Sequence, residues 1–118
     1  MEAVKIGRKK YKVEFVHSFT NNRRMGEIDY DARTITLGTH LGKRGRKLTD
    51  NEFVETFWHE VIHASLDDMR SDMTYDEKFV TGLAKRIVSV MRQPRNNDEN
   101  YMVSQCAQGL RKLRKKVP

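Results

Sequence analysis

The segment Thr49-Asp50-Asn51-Glu52-Phe53-Val54-Glu55-Thr56-Phe57-Trp58-His59-Glu60-Val61-Ile62-His63-Ala64 opens with a capping box and continues with a helical period. Thr49 and Glu52 stand in the spacing at which each side chain bonds the other's backbone N–H. Phe53, Phe57, Val61 and Ala64 then recur every three or four residues, the pattern of a helix burying one face. The spacing predicts a helix from Thr49 to about Met69. Phe57 and Trp58 are expected to anchor packing rather than to line a substrate pocket.

Inside that helix lies His59-Glu60-Val61-Ile62-His63, an H-E-x-x-H motif. Histidines at i and i+4 share a helical face with Cβ atoms roughly 5–6 Å apart, so both imidazoles can converge on one ion. Glu60 sits about 100° round the helix, placed to act on water beside the ion without being a ligand. A catalytic Zn²⁺ takes three protein ligands and lowers the pKa of a bound water to about 7, so a carboxylate there can act as general base in hydrolysis. The chain's own His and Glu frequencies give roughly 0.01 chance matches to this pattern.

The third ligand must come from elsewhere. Leu66 and Met69 stand where the longer H-E-x-x-H-x-x-G-x-x-H pattern needs Gly and His. Glu77 precedes Val80 and Ala84 by three and seven positions and so shares their face, which in an antiparallel helix pair returns beside the first helix. Glu77 also closes a second capping box, Thr74-Tyr75-Asp76-Glu77, and could serve only there. Asp76, Asp72 and Asp67 are the substitutes. His17, His40 and Tyr75 are weaker candidates for binding a carbonyl or a developing charge.

Outward from this centre, the N-terminal forty residues read as strands. Ala3 to Ile6 and the alternating stretch Tyr11 to His17 form one pair. Gly26 to Tyr30 and Thr34 to Gly38 form another, joined by Asp31-Ala32-Arg33. The expected class is therefore α+β: a small, mostly antiparallel sheet, the H-E-x-x-H helix, a second packed helix ending before Pro94, and a basic C-terminal helix after Asn96-Asn97-Asp98. That helix has Tyr101, Met102, Cys106, Leu110 and Leu113 on its apolar stripe. We expect a domain over residues 1–92 and, over 93–118, a basic extension packed on it.

The chain has 118 residues, 37% of them hydrophobic and 33% charged, enough for one core and too few for two domains. Cys106 is the one cysteine, which excludes a disulfide framework and a Cys-rich zinc cluster. No apolar run reaches the roughly 18 residues of a membrane span, and early lysines interrupt any secretory signal, so a cytoplasmic protein with no membrane partner is expected. Most of the net charge of +7 gathers in residues 92–118, which include the run Arg111-Lys112-Leu113-Arg114-Lys115-Lys116. A second function class follows: a binding protein whose basic surface engages nucleic acid or an acidic host protein, with little or no proteolysis.

The order of Gly26-Glu-Ile-Asp-Tyr, Thr34-Ile-Thr-Leu, Phe57-Trp-His-Glu-Val-Ile-His-Ala and Asp76-Glu-Lys-Phe-Val-Thr-Gly-Leu-Ala resembles the small phage and prophage metallopeptidases related to the ImmA/IrrE group. The resemblance covers about residues 1 to 92. It implies a minimal zincin-like fold and a gluzincin-type zinc site. His59, His63 and Glu77 would be its ligands and Glu60 its base, acting on a protein or peptide substrate such as a DNA-binding regulator in the host cytoplasm. Ser65 and the basic end beyond Pro94 depart from the pattern. In zincin-like folds an edge strand pairs with extended substrate, and Thr34 to Leu37 is the segment expected to do so.

Overall fold

Gly7 takes φ 59°, a left-handed backbone open to glycine at little cost, and so turns the chain sharply between its first two strands. In the computed structural model, which describes residues 3–21, 23–92 and 101–115, these are β1 (Ala3–Ile6) and β2 (Lys9–Val16). They are followed by β3 (Gly26–Asp29), β4 (Thr34–Gly38), α1 (Asp50–Asp68), α2 (Glu77–Met91) and α3 (Tyr101–Lys115). The class is α+β, and no helix among the described residues is long and apolar enough to cross a membrane.

The strands form one sheet in the order β1-β2-β4-β3. β1 pairs antiparallel with β2, and β3 with β4, as the sequence leads one to expect. The central pairing differs: β2 and β4 run parallel, with Val13 opposite Ile35 and Phe15 opposite Leu37. After β2 the chain passes beyond the end of the sheet, returns as β3 on the outer edge, and turns back into β4 beside β2. The turn spans Tyr30 to Arg33, one residue longer than expected. Asp29 Oδ1 accepts from the Ala32 N–H, and Arg33 sits at φ 50°. Burial explains the order, since Ile35 and Leu37 are wholly enclosed and β4 is the strand best suited to the interior. Thr34 to Leu37 is therefore a central strand and not the edge expected to meet substrate; the edges of the sheet are β1 and β3.

One face of the sheet, carrying Tyr11, Val13, Ile35 and Leu37, packs against Phe53, Val54 and Phe57 of α1. Lys10, Lys12 and Glu14 point to the other, exposed face. The expected capping box opens α1: the Thr49 hydroxyl accepts from the Glu52 N–H, and Glu52 Oε1 accepts from the Thr49 N–H at 2.9 Å. The helix ends with Arg70 at φ 56°, the Ser71 N–H donating to Leu66 O and the Arg70 N–H to Asp67 O. This is a Schellman turn with arginine where glycine is usual. It reverses the chain and returns α2 along α1.

α3 is part of the core rather than an appendage. Val103, Ala107 and Leu110 are buried with Phe53 and Phe57, and Val103 and Leu110 each contribute about 1.5–3 kcal/mol of burial. Arg111 bonds Asp50 Oδ1 at 2.6 Å and lies over the Phe53 ring. The extension thus shares the core of residues 1–92. The expected stop at Pro94, the Asn96-Asn97-Asp98 link, Lys116 and the side chains of Arg114 and Lys115 fall outside the described residues.

Candidate metal centre

α1 places His59 and His63 one turn apart, with their Nε2 atoms 3.2 Å from each other. Glu77, in the first turn of α2, reaches both: Oε1 lies 2.6 Å from His63 Nε2 and Oε2 lies 3.1 Å from His59 Nε2. His63 is buried, and its Nδ1–H donates to the Thr74 carbonyl at 2.6 Å. That carbonyl is itself held in place, because the Thr74 hydroxyl donates to Ser71 O in the same turn. A carbonyl can only accept, so the proton of a neutral His63 sits on Nδ1 and its Nε2 lone pair faces the cluster.

With Glu77 ionised, no placement of protons satisfies all three contacts. If both Nε2 atoms carry hydrogen, two donors face each other across 3.2 Å; if only one does, the other presents its lone pair to a carboxylate. A divalent cation among two imidazole nitrogens and a carboxylate would remove the conflict. The donor set has the N,N,O chemistry that zinc accepts. Burial holds the His59 imidazole below its usual pKa, with Glu77 opposing, which favours the neutral form a ligand needs.

Glu60 is the second carboxylate at the site. Its ligand-type oxygen and the nitrogens of His59 and His63 all lie within 4.8 Å of one another, so on proximity alone it competes with Glu77 for the third position. Contacts separate the two. Glu77 touches both imidazoles, whereas no hydrogen bond joins Glu60 to either among the described residues. Glu60 is only 5% exposed, and burial, then the charge of Glu77, pushes its carboxyl up to about 8. In the metal-free protein this makes Glu60 a strong proton acceptor, which is the property a general base needs.

The site opens into a cleft of about 700 Å³. α1 supplies its floor with Thr56, His59, Glu60 and His63, α2 one wall with Glu77, Thr81 and Lys85, and the edge strand β3 the other with Gly26, Glu27 and Ile28. Tyr30 and Tyr75 meet edge to face, centroids 5.8 Å apart, joining the two walls at one end. Gly26 allows the close approach of β3: a Cβ there would meet Thr56 Cγ2 at 2.5 Å and Glu60 Oε2 at 3.2 Å.

The sequence-selected residues His59, Glu60, His63 and Glu77 therefore come together. The Thr74 capping box does not form. Asp76 is the N-cap of α2, accepting from the Phe79 N–H, which leaves the Glu77 side chain to the histidines. Asp67 pairs with Lys9, and neither Asp67, Asp72 nor Asp76 lines the cleft. His17 and His40 stack on each other, centroids 4.1 Å apart, away from the cleft. Phe57 lies in the core and Trp58 packs against it, as expected. Sequence reasoning missed three participants: the Thr74 carbonyl, Gly26 and Tyr30. The alternation Gly26, Ile28, Tyr30 was the available signal for the last two. Comparison with family models, with curated proteins and with solved structures finds no match to this chain.

Proposed function

We propose that this protein is a zinc-dependent metallopeptidase with a minimal zincin-like fold, of the kind encoded by phages and prophages. The observation that carries the reading is the convergence of His59 Nε2, His63 Nε2 and the Glu77 carboxylate beside a separate buried carboxyl, Glu60. His59, His63 and Glu77 would hold the ion, with Thr74 fixing the His63 ring. Zinc, when bound, supplies a Lewis acid that polarises a carbonyl and acidifies water. Glu60 takes the proton of the water that attacks the scissile carbonyl carbon and returns it to the leaving nitrogen as the C–N bond breaks.

The open edge of β3 runs along the cleft and can pair with an extended peptide through main-chain bonds, taking the part first expected of β4. A protein or peptide substrate, such as a DNA-binding regulator, fits this arrangement. The binding-protein reading rests on the basic C-terminal run, in which Arg111 is engaged by Asp50 rather than offered to phosphate. The test is cleavage of a proteome-derived peptide pool, read by mass spectrometry, with zinc-loaded wild type and Glu60→Gln. Peptide cleavage lost in Glu60→Gln with zinc retained supports a peptidase; equal product patterns from both proteins would refute it.

A further inference from the structure

Tyr30 lines the cleft just beyond the end of β3, with its ring edge to face against Tyr75. Gly26 and Ile28 of β3 point toward α1, and the same alternation continues to Tyr30, which is half-buried and lines the cleft with His59, Glu60 and His63. Three other donors along this cleft already have partners. The Thr56 hydroxyl donates back to Glu52 O at 2.7 Å, Arg24 pairs with Glu27, and Lys85 pairs with Glu55. No hydrogen-bond partner takes the Tyr30 hydroxyl among the described residues. Tyr75, its ring partner, is 74% exposed, so its hydroxyl is a donor largely surrounded by water.

We propose that Tyr30 is a catalytic residue of the peptidase, donating its phenol hydrogen bond to the scissile carbonyl oxygen as negative charge develops there. The inference rests on the function proposed above. As the water oxygen bonds the carbonyl carbon, the π pair moves onto the carbonyl oxygen. Glu60 holds the proton taken from water, and Tyr30 keeps its own while its O–H dipole faces the new charge. When the C–N bond breaks, that pair returns to the carbonyl and the Glu60 proton goes to nitrogen. A half-buried donor is worth more at such a position than an exposed one, and removing a donor of this type costs on the order of 10²-fold in rate. Burial, followed by the neighbouring Tyr75, holds the Tyr30 phenol well above its usual pKa, so it remains a donor at neutral pH.

The experiment compares zinc-loaded wild type, Tyr30→Phe and Tyr75→Phe on the fastest-cleaved member of the peptide pool. It also measures calorimetric binding of a phosphinic analogue of that peptide, whose tetrahedral anion mimics the charged oxygen. Tyr30→Phe is expected to lower kcat by about 10²-fold with KM within about twofold and to weaken the phosphinic analogue by a similar factor. Tyr75→Phe, which keeps the ring contact, tests the rival donor at the same end of the cleft: a loss there equal to or larger than that of Tyr30→Phe would overturn the assignment to Tyr30. Zinc content and melting temperature of Tyr30→Phe control for folding. Wild-type rates and analogue affinity in a folded Tyr30→Phe would overturn the role of Tyr30 and leave the peptidase intact. A zinc-loaded wild type that cleaves nothing in the pool would overturn the peptidase reading and this one with it.

Discussion

Replacing Glu60 by Gln should make the metal-free protein more stable, by an amount that grows with pH. The Glu60 carboxyl ionises near 4.5 in an unfolded chain and near 8 in the fold, where burial and then the Glu77 charge disfavour its anion. The native state therefore binds this proton more tightly than the unfolded state, and stability falls as pH rises from 4.5 to 8. At about 1.36 kcal/mol per pH unit, wild type has lost about 3 kcal/mol by pH 7 relative to pH 4.5. Glutamine is neutral in both states and feels none of this. Urea unfolding of both proteins with chelator present should give curves whose difference is smallest near pH 4.5. By pH 7 that difference should reach about 3 kcal/mol, equivalent to a melting shift of roughly 10 °C. Any fixed cost of burying the amide displaces the difference equally at every pH and leaves its slope unchanged. A difference that does not vary between pH 4.5 and 8 would refute the claim that Glu60 is buried as a strong proton acceptor.

Gly26→Ala should destabilise the fold by about 1–3 kcal/mol in chemical unfolding and slow hydrolysis, because the added Cβ meets Thr56 and the Glu60 carboxylate. Thr49→Ala should cost about 1 kcal/mol by removing the α1 cap. Glu52, held down to about 2 chiefly by its hydrogen bonds from Arg46, contributes stability that is full above pH 4.5 and disappears as pH falls toward 2. Glu52→Gln should therefore differ from wild type in urea midpoint at pH 6 and converge with it near pH 2. Cutting the chain before Gly109 removes Leu110 from the core, so it should abolish cooperative unfolding rather than delete a separable basic arm.

The parts legible in the sequence are those whose signals are local. The α1 capping box, the period of Phe53, Phe57, Val61 and Ala64, and the H-E-x-x-H spacing depend on residues within one helix, and geometry within a helix is fixed. Glu77 was reachable because it shares a face with Val80 and Ala84, although its rival role as a cap ended only when Asp76 took that place. Strand order was not legible. Alternation says which face of β4 is buried, but not that β2 lies parallel beside it or that β3 becomes the edge. The assignment of Thr34 to Leu37 as the substrate strand failed for that reason. Proline at Ile35 would break a central strand and report on folding, not on substrate pairing. Tyr30 and Gly26 acquire meaning only when β3 is laid beside α1, a non-local fact. The Thr74 carbonyl has no side-chain signature at all.

The most direct measurement is metal content of the purified protein after zinc loading and desalting, for wild type, His59→Ala and Glu77→Ala. One zinc per chain in wild type, with both variants losing it while staying folded by circular dichroism, is the predicted result. Wild type that retains no zinc, or a Glu77→Ala variant that binds it as tightly as wild type, would contradict the assignment of these side chains as one metal centre.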